Sequence, residues 1–544
     1  MNKSTIAYFS AEYSVADSLP IYAGGLGILA GDTVMEAGSE KADFHAFGLV
    51  YHEAFTAGDT DTRPMTERLQ AEGFALLTTA GTSPRLVEVM VGGEPVMVQA
   101  WRKNYGPASL TLLDTRLAAN HGETARITDH LYDSTPGMML RQQLVLGLGS
   151  VALLDQLGLD PDAYHLNEGH MSFVGLGVAL RYQRLHPETN LVTALAAVKP
   201  KLVATKHTIL PGAGLTLGRA DLESALAKTL AAANGTVDDL LALGAKTDGY
   251  FSTTRFLLAI ASRHSGVSEI HVRAEAETHP GSPLQAITNG VFVPRWRSKE
   301  LGPTPLELSD DELWTQHQAG RQALVDYVST ETGQQLDSHR LTVVWARRMT
   351  AYKRPELLVS DLDRLITLAS DSQRPVQFVV AGKANPADAV GIELMNRVVA
   401  AAGHPELANS FAYLPHYNPM TARLLVQGAD LWLNTPVRGQ EACGTSGMKA
   451  SLNGALQFST SDGWIDEIDP GPIGWVVPVE ASGPALYDTL EQQITPLFYE
   501  RAAGRPDAWI IKMRANIELI ERRFTATRML HDYYAKLYIA HNKG

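Results

Sequence analysis

Short apolar stretches flanked by glycine or proline alternate with longer segments of helical periodicity, and this alternation restricts the possible folds more than any other feature. The clearest stretches lie at residues 5–10 (TIAYFS), 202–205, 341–346 (LTVVWA), 376–381 (VQFVVA) and 431–434. Continuous apolar runs of this length are typical of strands buried on both faces of a sheet. Because these strands alternate with helices, the sequence predicts an α/β protein.

The length of 544 residues predicts two or more domains. The segment from Gly302 to Ser338 is polar and helical, and the LTVVWA strand after it starts a second series of strand–helix units. We therefore predict a boundary near Pro294, with one domain at residues 1–294 and a second at 295–544.

A C-terminal helix is predicted after an N-cap at Thr525. It would either pack on its own domain or cross to the first. Its apolar positions have helical spacing: Met529, Leu530, Tyr533, Tyr534, Leu537 and Ile539.

Composition excludes several classes of protein. The net charge of −13 argues against a protein that coats nucleic acid or an anionic membrane. The single cysteine, Cys443, excludes an intrachain disulfide and a cysteine-rich zinc site. The longest apolar run, residues 144–154, is too short to cross a bilayer, and residues 1–13 lack the apolar core of a signal peptide. We expect a cytoplasmic protein.

Two stretches have the composition of phosphate sites. Residues 22–27 (YAGGLG) precede a predicted helix, where backbone N–H groups can approach an anion, although a tight strand-to-helix turn would look the same. Residues 347–354 (RRMTAYKR) hold four cations and no acid directly after the LTVVWA strand. This cluster suits a multiply charged phosphate, although a solvated basic turn remains the alternative.

A third stretch, residues 441–449 (EACGTSGMK), follows the strand at 431–434. Its small residues predict an anion cradle that opens a helix. We expect Lys449 in the first helical turn, where the positive end of the dipole favours a neutral amine. A neutral lysine beside a phosphate cradle is what a pyridoxal phosphate Schiff base requires, and a surface lysine near a helix start is the alternative.

Polar residues on predicted loop ends form a fourth group, at residues 165–170 (HLNEGH), 205–208 (TKHT) and 288–290 (TNG). They could bind sugar hydroxyls, cap helices or satisfy buried backbone groups. The five-residue spacing of His165 and His170 does not place both rings on one helix face, so we expect no metal site there.

In this order, these stretches resemble the α-glucan (glycogen, starch and maltodextrin) phosphorylases, in particular the short bacterial form. The resemblance runs from Ala7 to Tyr538 and rests on AYFSAEY, IYAGGLGILAGD, HLNEGH, TKHTILPGAG, ITNGVFVPRW, ARRMTAYKRPELL, GKANPAD and DLWLNTPVRGQEACGTSGMKASLNGALQFSTSDGW.

The resemblance implies two Rossmann-like lobes of the glycosyltransferase B type, with a cleft between them and a C-terminal helix that crosses back to the first lobe. It also implies pyridoxal 5′-phosphate on a lysine. The expected reaction cleaves α-1,4-glucan or maltodextrin with inorganic phosphate and gives α-glucose 1-phosphate with retention. A homodimer is expected on the same ground.

Carried over position by position, the resemblance gives each candidate residue a role. Lys449 matches the Schiff-base lysine, and Arg348 and Lys353 match residues that bind substrate and cofactor phosphates. Gly24 and Gly25 match the loop beside the substrate phosphate. The cofactor would be held by Arg347, Thr445, Ser446, Gly447, Tyr417 and Trp296. The glucosyl unit would contact Glu441, Asn289, His207, Glu168 and His170, with Cys443 and Gly444 beside them.

Several positions depart from the family pattern. Cys443 stands where the family usually has serine, Asn418 where long phosphorylases have arginine, and Arg347 where they have lysine. The run GWIDEIDPGPIGW differs from the tandem tryptophan of short forms. The first strand begins almost at the N-terminus, so we expect no N-terminal regulatory segment and no control by phosphorylation there.

Two other functions are compatible with the fold. A nucleotide-sugar glucosyltransferase of the glycogen or starch synthase type carries a Glu-x7-Glu pattern. In this chain the position eight residues after Glu441 is Lys449, so the carboxylate that binds the donor ribose is missing. A catalytically inactive glucan-binding relative is the second alternative, although it need not retain Lys449, Arg348, Lys353 and both glycine loops.

Overall fold

The computed structural model describes residues 4–53, 61–209, 214–278, 281, 283–386, 388–477, 483–501 and 504–538. Ile539, residues 210–213 of the TKHTILPGAG motif and Ala387 of GKANPAD lie outside them. Within this part of the chain, no helix has the length and apolar character needed to span a membrane.

The chain divides into two compact units. The first contains Met1–Val267, Val272–Ile287 and Ala526–Gly544, and the second contains Ser268–His271 and Thr288–Thr525. The boundary that we place at residue 294 stays a prediction.

The first unit is built on a ten-stranded sheet, as expected for an α/β protein. Seven strands run parallel in the order β12-β11-β8-β7-β1-β2-β6, and β5 continues the sheet antiparallel to β6, with β3 and β4 paired to β5. Strands β9 and β10 pair separately. The strands are β1 (Ile6–Phe9), β2 (Phe44–Leu49), β3 (Ala75–Leu76), β4 (Val87–Val91), β5 (Glu94–Tyr105), β6 (Ala108–Asp114), β7 (Ala163–Asn167), β8 (Leu202–Thr205), β9 (Thr216–Leu217), β10 (Phe251–Ser252), β11 (Arg263–Gly266) and β12 (Gln285–Ala286).

Helices connect these strands. They are α1 (Gly25–Ser39), α2 (Met65–Ala71), α3 (Met138–Leu144), α4 (Ser150–Gln156), α5 (Ser172–Leu185), α6 (Leu191–Val198), α7 (Arg219–Ala232), α8 (Val237–Gly244), α9 (Thr253–Ile260) and α10 (Glu269–Thr278). A π-helical turn at Val145–Gly149 joins α3 to α4.

The second unit contains a six-stranded parallel sheet with the order β15-β14-β13-β16-β17-β18. This is the 3-2-1-4-5-6 order of a doubly wound sheet, which places ligand sites beyond the carboxyl ends of its strands. The strands are β13 (Leu341–Ala346), β14 (Val376–Ala381), β15 (Phe411–Leu414), β16 (Leu431–Asn434), β17 (Leu456–Thr460) and β18 (Gly474–Val477). All residues of β13, β14 and β16 are buried, so the strands predicted from these apolar runs are confirmed.

The helices of the second unit include the polar helix predicted before LTVVWA. Ser309 and Glu312 form a capping box at its start, and Gly333 ends it in the left-handed region. The helices are α11 (Val293–Trp296), α12 (Asp310–Thr332), α13 (Leu362–Ser370), α14 (Ala389–Ala402), α15 (Pro419–Gly428), α16 (Thr445–Ser451), α17 (Gly483–Thr489), α18 (Thr495–Tyr499) and α19 (Asp507–Arg523).

The predicted C-terminal helix, α20 (Ala526–Lys536), begins directly after Thr525 and belongs to the first unit. Thr527 donates to Glu36 on α1 over 2.8 Å. Beyond the helix, the hydroxyl of Tyr538 lies 2.6 Å from Nδ1 of His165 on β7. Burial lowers the pKa of His165 to about 3, so this imidazole is neutral at pH 7 and forms part of the buried core.

Candidate active site

The basic cluster begins where β13 ends, and its first arginine is buried. The backbone N–H of Arg347 donates to the carbonyl of Ala381, which continues the β13–β14 ladder past the strand end. Its guanidinium donates to Oδ1 of Asn434 and, over 3.2 Å, to Oγ of Ser446. Its Nε is buried and has no hydrogen-bond partner among the described residues. Arg347 is therefore held rigidly and retains one donor for an anion.

The other cations of the cluster have different surroundings. Arg348 is exposed. Lys353 is buried, and its Nζ donates to Oε2 of Glu441 while lying 4.6 Å from the centre of the Tyr352 ring. Arg354 is partly buried and donates to the carbonyls of Thr435 and Pro436. Only Arg348 of the four cations is exposed, so the cluster is not a solvated basic turn.

Glu441 is the acidic partner of this cluster. Burial by itself would raise the pKa of its carboxyl, but attraction to Lys353, Arg347 and Arg348 holds that pKa below the ordinary value. Its carboxylate lies 3.6 Å from the guanidinium of Arg347. Glu441 is therefore ionised at pH 7 and offsets part of the positive charge.

Asp462 positions Glu441 through the backbone. Its carboxylate accepts from the N–H of Glu441 over 3.0 Å and from that of Gly463 over 2.8 Å. Burial raises the pKa of Asp462 to about 6, although these N–H groups act in the opposite direction. The carboxyl of Asp462, which titrates near neutral pH, is therefore hydrogen-bonded to the backbone of the Glu441 loop.

Lys449 lies on α16 against the face of an indole. Its Nζ is 4.0 Å from the centre of the Trp296 ring, and both residues are buried. Our expectation that Lys449 falls in the first helical turn is wrong. The helix has seven residues, begins at Thr445 and carries Lys449 in its last turn. Lys449 therefore lies beyond the first turn, where the helix dipole acts most strongly, and its amine contacts an indole face.

The small residues before Lys449 allow close packing. Gly444 has φ +82° and precedes α16, a conformation that favours glycine. A Cβ on Gly447 would lie 2.7 Å from Oε1 of Gln457 and 3.2 Å from Nε1 of Trp464. The start of α16, which carries Thr445 and Ser446, therefore lies directly on β17 and the segment that follows it. Cys443, a departure from the family pattern, is buried in the loop before this helix.

Tyr417 and Asn289 belong to the second unit as well. Burial raises the pKa of Tyr417 to about 12, and the charge of Arg347 acts in the opposite direction, so the phenol stays neutral. Asn289 is 6% exposed. The side chain of Asn418 accepts from the N–H of Thr421 over 2.9 Å and caps α15, so this departure from the family pattern has a structural role.

In the first unit, Glu168 and His207 interact directly at the ends of β7 and β8. Oε1 of Glu168 accepts from the N–H of His207 over 2.6 Å, and Nε2 of His207 lies 2.8 Å from Oδ1 of Asn167. Glu168 has φ +68° and ψ 166°, which is rare for a residue other than glycine. Backbone strain of this kind is concentrated at functional sites.

His170 lies two residues after Glu168 and packs against Tyr132, with ring centres 5.4 Å apart. Burial lowers the pKa of His170 to about 4, so the ring is neutral at pH 7. A neutral imidazole can exchange hydrogen bonds with hydroxyl groups.

The backbone of the glycine loop at residues 22–27 is hydrogen-bonded to the carboxylate of Glu12. Oε2 of Glu12 accepts from the N–H of Ala23 over 2.5 Å and from that of Gly24 over 2.9 Å. Oε1 accepts from the hydroxyl of Tyr132 over 3.0 Å. Gly24 and Gly25 are exposed, and a Cβ on either would meet no atom within 4 Å. The two glycines therefore leave room for a close approach, although Glu12 takes the N–H of Gly24.

Sequence reasoning missed the residues that hold the candidate groups in place, namely Glu12, Asn167, Asn434, Asn453 and Asp462. All five lie within or beside the quoted motifs. All five polar side chains are buried, and the sequence alone does not reveal this burial. Their location within or beside the motifs was the only indication in the sequence that they belong to the candidate site.

Comparison with known proteins gives one consistent result. The family model described as carbohydrate phosphorylase matches residues 307–470. Glycogen phosphorylase from Mycobacterium tuberculosis (strain ATCC 25618 / H37Rv) is 34% identical over 616 aligned positions, which cover 98% of this chain and 70% of that protein.

The chain belongs to the carbohydrate phosphorylase family.

Two further relatives in the family have similar identity. Maltodextrin phosphorylase from Thermococcus litoralis is 32% identical, with 98% of this chain and 70% of that protein covered. Glycogen phosphorylase from Aquifex aeolicus is also 32% identical, with 98% and 86% covered. The family-model match contains the basic cluster, Glu441 and Lys449, whereas Asn289 and Trp296 of the second unit lie before it.

Proposed function

We propose that the protein is a retaining α-glucan phosphorylase, which converts an α-1,4-glucan or maltodextrin and inorganic phosphate to α-glucose 1-phosphate and a shortened glucan. The observation that carries the proposal is a buried lysine at position 449, eight residues after a buried glutamate at 441. The relatives named glycogen and maltodextrin phosphorylase support it, since they match 98% of the chain.

The residues present fit pyridoxal 5′-phosphate as cofactor. Lys449 supplies a primary amine for the aldehyde, with Trp296 and Tyr417 as aromatic neighbours in this proposal. Arg347, with its buried Nε that has no partner among the described residues, and Ser446 supply donors for a phosphate. When bound, the cofactor would supply a phosphate acid that exchanges a proton with orthophosphate.

The chain's own residues would manage charge and orientation. A dianionic substrate beside an anionic cofactor requires fixed positive charge, and we assign this to Arg347, Arg348 and Lys353. Arg348 would bind orthophosphate, since it is exposed. Lys353 would exchange its hydrogen bond to Glu441 for one to a phosphate oxygen. The carboxylate of Glu441 could then accept a hydrogen bond from a sugar hydroxyl. Electrostatic stabilisation of this kind is worth most where water is excluded.

The remaining candidates would bind the glucosyl unit and the substrate phosphate. We assign hydroxyl contacts to Asn289, His207, Glu168 and His170, and close approach to phosphate to Gly24 and Gly25. Cys443 and Gly444 would shape the sugar site beside Glu441. Contacts that tighten as an oxocarbenium-like centre develops would lower the barrier. The proposal includes two Rossmann-like lobes at residues 1–294 and 295–544, a homodimer and a cytoplasmic location.

An assay with two donors tests the proposal. Purified protein is incubated with maltodextrin and orthophosphate, and glucose 1-phosphate is measured. A parallel reaction contains maltodextrin and a nucleotide-linked glucose. We expect product only in the first. Transfer from the nucleotide sugar would support a synthase instead, and no reaction in either would leave an inactive glucan-binding relative.

A further inference from the structure

We propose that Asn453 is a positioning residue that holds Lys449 against the indole of Trp296. The inference rests on the proposed function only in taking Lys449 as the cofactor lysine. Asn453 lies two residues after α16 ends and is 1% exposed.

The side-chain amide of Asn453 joins two elements that are far apart in sequence. Nδ2 donates to the carbonyl of Lys449 over 2.9 Å and to the carbonyl of Trp296 over 3.0 Å. Oδ1 accepts from the N–H of Ser298 over 2.7 Å. Both N–H groups and the oxygen of the amide are therefore used, and the planar group fixes the distance between the two carbonyls.

The position of Lys449 depends on such links because its helix is short. A seven-residue helix has little stability of its own, so tertiary contacts determine where it lies. Trp296 ends the four-residue helix α11. Its carbonyl accepts a second bond from Nε2 of Gln427, at 3.3 Å. Asn453 therefore supplies a bond that joins the backbone of Lys449 to that of its aromatic neighbour.

A second buried asparagine, which lies on α19 and bonds to α16, provides a matched control. Asn516 is 0% exposed, and its amide accepts from Oγ of Ser451 over 2.7 Å. It donates to the carbonyls of Ile473 over 2.8 Å and Lys512 over 2.9 Å. Removing Asn516 takes a comparable buried amide away from α16, and neither Lys449 nor Trp296 is among these partners.

The first test measures how fast Lys449 captures an aldehyde. Full-length wild type, Asn453→Ala and Asn516→Ala are freed of bound carbonyl compounds and mixed with pyridoxal 5′-phosphate. Samples are reduced with borohydride at intervals, and the pyridoxyl group on Lys449 is quantified by mass spectrometry. We expect roughly tenfold slower capture in Asn453→Ala, because small misplacements of reacting groups cost large factors in rate. Asn516→Ala should remain close to wild type, whatever its loss of thermal stability.

A second measurement separates this inference from the proposed function. Acetic anhydride modifies lysines without any cofactor, and peptide mass spectrometry reports the rate at Lys449 relative to surface lysines. We expect a change of roughly threefold or more in Asn453→Ala, because the amine leaves the indole face, and none in Asn516→Ala. If wild type captures no pyridoxal phosphate, the cofactor proposal fails, and acetylation still decides the role of Asn453.

Equal capture and equal acetylation in both variants would overturn the inference, as would equal losses in both. Should an alanine variant not fold, Asn453→Asp and Asn516→Asp are compared in the same way. Aspartate retains the size and the acceptor but cannot donate to the carbonyls of Lys449 and Trp296.

Discussion

Lys353 and Glu441 form a buried ion pair although they lie 88 residues apart in sequence. The pair joins the loop after β13 to the loop before α16, two loops that follow neighbouring strands of the sheet. Attraction to Lys353 and to the nearby Arg347 keeps the carboxyl of Glu441 ionised.

Replacing Glu441 by glutamine should destabilise the protein by about 3 kcal/mol at pH 7, because the Lys353 charge is left buried without a partner. The pKa of Glu441 lies below its ordinary value of 4.5, so its ionised form stabilises the fold above pH 4.5 and loses this effect as pH falls through the lower folded pKa. Urea unfolding at pH 7 and below pH 4 should show the difference from wild type shrinking in acid. A difference that stays constant would contradict this account. Glu88→Gln, on an exposed position of β4, is the control.

Arg348→Ala should leave stability within about 0.5 kcal/mol of wild type, because the side chain is exposed. It should lower kcat/KM for orthophosphate by about 100-fold, as expected for loss of a charge that stabilises the transition state. Arg347→Ala should lose both activity and stability, because its guanidinium bonds to Asn434 and Ser446. Steady-state kinetics with thermal unfolding separates the two. Full activity in Arg348→Ala would remove this residue from the site.

Gly25→Ala should fold normally, since a Cβ there meets no atom within 4 Å. It should nevertheless reduce kcat/KM for phosphate about tenfold if the loop approaches that substrate. Gly27→Ala should instead destabilise the protein by about 1–3 kcal/mol, because its Cβ would lie 2.5 Å from Cβ of Tyr22. Unchanged kinetics in Gly25→Ala would show that the loop serves only as a turn.

Asp462 should give the protein a stability that depends on pH near neutrality. Its folded pKa of about 6 exceeds the ordinary value of 3.8, so the neutral carboxyl favours the fold. This contribution is complete below pH 3.8 and is lost as pH rises through 6. From pH 4 to pH 7.5, the unfolding free energy of wild type should fall by about 2 kcal/mol relative to Asp462→Asn. Parallel profiles for the two proteins would contradict a raised pKa.

The bounds of the strands were predicted from the sequence more accurately than the side-chain contacts of the candidate site. The runs at β8, β13, β14 and β16 were found at their observed bounds because a strand buried on both faces is apolar throughout. The start of α20 was found because Thr525, directly before Ala526, is a residue type that favours helix N-caps.

The local setting of Lys449 could not be predicted in the same way. The dipole argument assumed that the helix began nearer to Lys449, whereas α16 begins at Thr445. The indole of Trp296 lies 153 residues earlier in the chain, and only the fold brings it to the amine. Likewise, a glycine loop indicates an anion site, but the sequence does not indicate that Glu12 provides a carboxylate for it.

The most direct test of the whole account is borohydride reduction of the protein as purified, followed by peptide mass spectrometry. We predict a phosphopyridoxyl group on Lys449, an absorbance band in the near ultraviolet before reduction, and neither in Lys449→Ala. A folded wild-type protein with an unmodified Lys449, even after incubation with excess pyridoxal 5′-phosphate, would contradict it.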